Sequence, residues 1–369
     1  MRLRGSTCLR VAILAVAILA IGAAHSQPAE AAENEGKLGV LALPNVFFMP
    51  ETGFGAGFMA MLTKPLPATQ DGMALADSLR AGGSYTQNGQ LSGWTSLELF
   101  LGRSRARFGV DASISRYPSR FFGVGPSAAS DEVYVPFMGS ASASLSFRVA
   151  EAIRVGPRFR FAASRTLDRE SGGILATSGL RGNEGYLATG LGFTATYDSR
   201  DSSITPTKGA FFDLGYTASP GALGSGEDFG LACLDARTYL APFSALNMVL
   251  ALQARAELCF GDAPFQELPR IGGDRLMRGF YDGRYRDSCA AALQAELRLP
   301  LWWRFGVTAF GGLAQVAPGI AAFDLSDPKV SGGVGIRVRL DDTTNANMRV
   351  DIAWADGGPQ FYFNFAEAF

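Results

Sequence analysis

Arginines at positions 270, 275, 278, 284 and 286 crowd one stretch of the chain, interleaved with glycines at 272, 273, 279 and 283. Guanidinium groups at that density repel one another unless acids or phosphate-like anions meet them, and glycine opens backbone conformations closed to other residues. The chemistry on offer is ion pairing and anion recognition. Bond-breaking chemistry is poorly supplied. His25 is the single histidine, so a Ser-His or Cys-His couple, or a histidine-held metal, has almost no raw material. Asp198 and Asp201 offer a candidate pair of carboxylates, but they flank Ser199 and Arg200 in a turn, where capping and solvation are the ordinary roles. A carboxylate-pair hydrolase is therefore the least favoured reading. No enzyme, no cofactor and no metal site is expected.

The N-terminus specifies a compartment. Arg2, Arg4 and Arg10 precede an apolar run over 11–21 and then small residues, the pattern of a secretory signal peptide, and the run is too short to span a membrane as a helix. Cleavage after Ala24-His25-Ser26 or after Ala29-Glu30-Ala31 fits, and the first gives a signal peptide of 1–26 and a short segment of 27–37. That cut removes the histidine and three arginines but no acid, so the formal charge moves from −1 to −4. A mildly acidic chain offers no footprint for nucleic acid, which needs clustered cations against phosphates. Cys233, Cys259 and Cys289 remain in an oxidising compartment. Strand phase puts Cys233 and Cys259 on one face and Cys289 on the other, so three free thiols are expected, with a Cys233–Cys259 bridge as the alternative.

The elements that must position the arginines alternate with period two. Val334, Ile336, Val338 and Leu340 interleave with Gly335, Arg337 and Arg339, and Met348, Val350, Ile352 and Trp354 interleave with Arg349, Asp351 and Ala353. Such strands have one face for lipid and one for water. Sixteen segments of this kind begin near Leu43, Gly53, Leu79, Leu91, Arg105, Tyr134, Ile153, Tyr186, Ala210, Phe229, Met248, Cys289, Phe305, Val330, Asn347 and Gln360. An even number suits a closed barrel. Odd-to-even connections are mostly long and even-to-odd ones mostly short, as for outer loops and periplasmic turns; the connection over 64–78 breaks the pattern. A soluble sandwich would also alternate but rarely reaches so many strands. Trp94, Tyr134, Trp302, Trp303 and Trp354 near strand ends suit interfacial girdles. The expected fold is all-β, a 16-stranded antiparallel transmembrane barrel over 38–369. Phe361, Phe363, Phe365 and Phe369 share one parity of the last strand, which suggests a lipid-facing C-terminal signal read by the cell's barrel-assembly machinery.

Two motifs in order, Asp198-Ser199-Arg200-Asp201 with Pro206-Thr207-Lys208-Gly209, then Arg278-Gly279-Phe280 followed by Asp282 and Gly283, make the chain resemble the BamA/TamA family of bacterial outer-membrane barrels, the bacterial surface antigen superfamily. The resemblance covers nearly all of 38–369. It implies that the sixth outer loop folds inward and that Arg278, preceded here by Met277 where the family has Val or Ile, pairs in the lumen with acids from the two following strands. Glu296 matches the first acid. The second, an aspartate after an aromatic residue, is absent at Phe310-Gly311-Gly312, so another acid such as Asp351 would complete the pairing. An outward basic loop facing lipopolysaccharide is the alternative. The family's polypeptide-transport-associated domains have no counterpart in the few residues before the first strand, and a short form lacking them is expected. The implied function is outer-membrane protein assembly, translocation or membrane biogenesis with a separately encoded partner, among outer-membrane lipid and lipopolysaccharide; the alternative is a passive channel or structural barrel plugged by its own loop.

Overall fold

The computed structural model describes residues 38–66, 75–102, 104–128, 130–202, 205–243, 246–324, 326–339, 347–365 and 367–369. The expected signal peptide at 1–26, the expected segment 27–37 and most of the long connection before the third strand lie outside the described residues. Sixteen strands form the wall: β1 (Gly39–Met49), β2 (Gly53–Leu66), β3 (Leu75–Thr86), β4 (Leu91–Leu101), β5 (Ala106–Arg116), β6 (Glu132–Ala150), β7 (Ile153–Arg169) and β8 (Gly185–Asp198). They continue as β9 (Gly209–Ser219), β10 (Phe229–Leu240), β11 (Val249–Gly261), β12 (Cys289–Trp302), β13 (Phe305–Ala317), β14 (Lys329–Arg339), β15 (Asn347–Ala355) and β16 (Gly358–Phe365). Each strand pairs antiparallel with the next, and β16 returns to β1, closing the barrel. Fourteen of the sixteen starts expected from alternation fall within two residues of the observed ones; β1 and β3 begin four residues earlier than expected.

Period-two patterning builds the two faces. On β14, Val330, Val334 and Ile336 are 60%, 51% and 51% exposed, while Ser331 and Arg337, on the other parity, are 6% and 5% exposed. Exposed branched apolar side chains ring the outside and polar ones line the inside, an arrangement that water would penalise and lipid favours. No described helix is long and apolar enough to cross a membrane, so crossing falls to the strands. Closure is uneven around the ring. Neighbouring strands are laddered over most of their length, whereas β1 and β16 share, among the described residues, one register pair, Phe48 opposite Phe363.

Three expectations need correction or completion. Trp94 lies opposite Ser113, and Ser113 opposite Ser140, so its ring belongs to the inner face and not to an interfacial girdle. Phe369 does not face lipid. After β16 the chain turns inward, and Ala368 and Phe369 pack against Tyr239, Val249 and Ala251 on the inner faces of β10 and β11. The reason is electrostatic: Glu367 accepts hydrogen bonds from Arg337 Nε at 2.8 Å and Asn347 Nδ2 at 2.8 Å, and Arg298 Nη2 donates to the Phe369 carbonyl at 2.8 Å, drawing the end inside. Phe361, by contrast, is 51% exposed on the parity opposite to buried Tyr362. The three described cysteines, Cys233, Cys259 and Cys289, are free. Cys259 stands opposite Leu231 and thus diagonal to Cys233, a spacing of roughly 7–8 Å that exceeds disulfide reach.

Candidate functional site

The arginine-rich connection between β11 and β12 is a folded unit. Arg270 and Ile271 pair with Arg286 and Tyr285, closing a small ribbon whose far end is the 277–280 tip. Apolar residues of the loop, Ile271, Met277, Phe280 and Tyr285, pack on Ala290, Ala292, Ala314 and Val316 of β12 and β13. The alanines matter because a larger side chain there would occupy the volume the loop fills. Met277 adopts a left-handed conformation, with φ of 57°, uncommon for a non-glycine residue. Its backbone is held by Gln294, whose Oε1 accepts the Met277 N–H at 3.1 Å. Gly279, with φ of 111°, donates its N–H to the Tyr362 hydroxyl at 2.9 Å, and a Cβ there would come within 3.0 Å of the Trp354 backbone. Only glycine meets both demands.

These constraints place Arg278 among inner-face side chains. Its guanidinium donates to Asp351 Oδ2 at 2.6 Å and to Glu296 Oε2, and it lies over the Phe310 ring with 3.4 Å to the centroid. The arginine side chain is 1% exposed and both carboxylates are 0% exposed. The charges extend as a network. Glu296 also accepts from Arg298 Nε at 2.8 Å, and Asp351 from Arg337 Nη1 at 2.6 Å. Arg337 continues to Glu367, and Arg349 pairs with Asp274 of the loop at 2.6 Å. Four guanidinium groups (278, 298, 337, 349) thus face four carboxylates (274, 296, 351, 367). That balance is what allows such a cluster to be buried, since an unmatched charge there would cost several kcal/mol.

Asp351 pairs with Arg278 where the resemblance implies a second acid, and two residues after Phe310 the inner face of β13 has no side chain. A Cβ on Gly312 would meet Met277 Sδ at 2.8 Å, so that strand is emptied to receive the tip. Phe310 contributes its ring face to the arginine in place of charge. Asp282 leaves the tip, pairing with Arg270 at 3.0 Å, while Gly283 follows it in the return of the ribbon.

The motif between β8 and β9 is a separate turn that reaches the same network at one point. Asp201 Oδ1 accepts the backbone N–H groups of Thr207 at 2.9 Å and Lys208 at 3.2 Å. Burial tends to raise the Asp201 pKa, but these bonds and that from the Thr207 hydroxyl win, holding it below the usual carboxylate range. Asp198 pairs with Arg200 at 2.8 Å, and Arg200 lies 4.4 Å from the Phe211 ring centroid. Gly209 has φ of 97°, and a Cβ would strike Ser199 O. The Pro206 carbonyl accepts from Arg298 Nη1 at 3.3 Å, linking this turn to Glu296.

Glu51 is a residue that sequence reasoning does not single out. It sits in the β1–β2 turn, 6% exposed, and its Oε1 accepts the Asp282 N–H at 2.9 Å, while Oε2 is buried without a hydrogen-bond partner. Burial pushes its pKa up to about 7, opposed by backbone hydrogen bonds from Glu51 itself and Asp282, and the Asp282 and Asp274 charges add to the rise. A lone glutamate in a tight turn carries no sequence signal for a tertiary contact of this kind.

An Omp85 superfamily domain model matches residues 72–369. The chain belongs to the Omp85 superfamily. No curated protein matches it. Among solved structures, the Omp85 barrel is similar to BamA from Haemophilus ducreyi lacking POTRA domains 1–3, with a TM-score of 0.60 and 15% identity over 93% of this chain and 74% of that one. It is also similar to CdiB from Escherichia coli (TM-score 0.57, 11% identity) over 88% of this chain and 62% of that one. CdiB from Acinetobacter baumannii gives a TM-score of 0.53 and 13% identity, over 89% of this chain and 60% of that one. At these identities the likeness is one of fold, and this Omp85 chain spans less than two thirds of either CdiB.

Proposed function

We propose that this Omp85 barrel resides in the bacterial outer membrane and acts in outer-membrane protein assembly, translocation or membrane biogenesis together with a separately encoded partner. The observation that carries the reading is the arginine clamp: Arg278 of the β11–β12 loop, fully buried between Glu296 and Asp351, fastens a long loop to two strands on the side of the barrel that leads to the β1–β16 closure. A loop held by charge rather than only by apolar packing can be released and reset without unfolding the wall. The lipid-facing Phe361 and Phe363 edge would be read during this protein's own insertion, a role to which Phe365 belongs by sequence parity. The membrane surroundings would include lipopolysaccharide at the outer rim.

Reconstitution tests the reading. With the protein in liposomes, insertion of a denatured client barrel should proceed faster than into empty liposomes, and Arg278→Met should remove most of the gain while the barrel stays folded. Client insertion at the rate of empty liposomes, with no partner retained on the purified protein, would sink it. Packing of the loop against the inner face favours a second reading, a plugged passive barrel. It would be distinguished by ion conductance that rises when the loop is deleted, without any effect on clients.

A further inference from the structure

The lumen has a second wall with different chemistry. Across β4 to β7 the register stacks inner-face side chains in rows: Trp94 opposite Ser113 and Ser113 opposite Ser140, then Ser96 opposite Asp111, Asp111 opposite Ser142 and Ser142 opposite Arg160. Ser144 lies opposite Arg158 in a third row. A cavity of about 400 Å³ opens over these rows, and an adjoining one of about 420 Å³ shares Ser113, Ser140 and Arg160 with it and extends to the loop at Glu267 and Asp282.

What separates this wall from the clamp is that its charges are incompletely matched: Ser113 and Ser140 bond to one another at 2.8 Å and Ser96 accepts from Arg80 at 3.4 Å, but the groups between them are open. Among the described residues, the side chains of Asp111 and Arg158 have neither an ion pair nor a hydrogen bond. Arg160 pairs with Glu267 at 2.6 Å, yet its Nη1 is buried without a partner. Trp94 is 39% exposed although it points inward, a large ring left bare over the cavity. Closely matched charges fill the clamp wall; here one acid, one guanidinium and one flat aromatic face stand open beside the Ser142 hydroxyl.

The combination selects a ligand class. An anion would meet Asp111 as well as Arg158, so net attraction is small. A polypeptide in extended form is best held by a free sheet edge, and β4 to β7 are laddered on both sides. A polyol ring suits all of the features, because its apolar face stacks on an indole while its hydroxyls donate to a carboxylate and exchange bonds with serines. Trp94 and Asp111 are diagonal neighbours across one strand pair, roughly 7–8 Å apart at their bases, a span one sugar ring bridges.

We propose that the β4–β7 wall of the lumen binds a short neutral saccharide, with Trp94 beneath a sugar ring and Asp111, flanked by Ser96 and Ser142, accepting its hydroxyl protons. The test is calorimetric titration of the full chain in an amine-oxide detergent, which has no sugar headgroup, with maltotriose and chitotriose as probes. Saturable binding of at least one probe is expected, weakened at least about tenfold by Trp94→Ala and by Asp111→Asn and largely retained in Trp94→Phe. Heat-modifiable migration shows which variants are folded, and Asp111→Asn alters no packing volume, so it serves if the tryptophan variant fails. No saturable binding of either probe to the folded protein overturns the proposal. So does binding indifferent to both substitutions, or displacement of the saccharide by a glycine-serine peptide.

Discussion

Replacing Arg278 with methionine keeps the length of the side chain and removes its charge, so the consequence can be worked from the contacts. The wild-type guanidinium spans Glu296 and Asp351 and stacks on Phe310. Its loss leaves three arginines, 298, 337 and 349, against four carboxylates. Neither former partner is left bare, since Glu296 keeps Arg298 and Asp351 keeps Arg337. The cost therefore falls at the low end of the range for breaking a buried pair, about 3 kcal/mol, or roughly two decades in a local opening equilibrium. Amide hydrogen exchange reads this directly, because the N–H groups of Met277 and Gly279 are bonded to Gln294 and Tyr362 and are released only when the tip leaves. Exchange at both amides should speed by about a hundredfold in Arg278→Met. Tyr362→Phe should accelerate Gly279 far more than Met277. Adding Glu296→Gln to Arg278→Met should do no more than the worse single change, as for groups sharing one interaction. Unchanged exchange in Arg278→Met, additive losses in the pair, or ready cleavage of the unmutated tip by external protease would refute the reasoning.

Glu51 gives a pH effect of defined sign. Its folded pKa is raised from 4.5 to about 7, so its stabilising share is complete below 4.5 and is lost as pH rises to about 7. The melting temperature of the solubilised protein should fall more steeply across that interval than that of Glu51→Gln; parallel profiles would dismiss the role. For the C-terminus, Phe369→Ala removes a ring packed inside and should lower the melting temperature, at a cost of up to about 3–5 kcal/mol. Phe361→Arg, on the exposed face, should chiefly reduce the assembled yield, by about 2–4 kcal/mol of lipid-face penalty at mid-membrane and less near an interface. The reverse pattern would mean that the faces are misassigned. Sidedness is tested by cysteine labelling on intact cells: Ser171→Cys should react and Lys208→Cys should not, both positions being exposed in their loops. Labelling of position 208 from outside would invert the topology.

Much of the wall is legible from period-two patterning, because a strand with lipid on one side and water on the other imposes the strongest alternation a sequence can carry. Glu296 is readable in the same way, from its parity with Gln294 and Arg298. Asp351 is harder, since choosing it requires knowing that Gly312 is emptied for Met277, a tertiary fact about two segments far apart in the chain. Trp94 misleads because aromatic residues near strand ends usually belong to girdles, although its phase with Ser92 and Ser96 points inward. Phe369 misleads for a related reason. Parity holds only while the strand lasts, and the chain leaves the sheet before Glu367, pulled by Arg337 and Arg298. Glu51 is invisible to any periodicity, as its partner is a backbone N–H in a distant loop.

The inward turn at the end of β16 also sets which side of the ring can give way. β16 meets β1 at one described pair, but its tail is moored to β14 through Arg337, to β12 through Arg298, and against β10 and β11 through the Phe369 ring. Among the described residues, β1 and its turn are held by the hairpin with β2, by Asn88 and Gln90 of the neighbouring β3–β4 turn, which donate to the Glu51 carbonyl, and by the Glu51 contact with Asp282, which is their tie to the loop. Under any strain that parts the two strands, β16 is the fixed jamb and the β1–β2 hairpin is the leaf that swings, with a single glutamate as its catch.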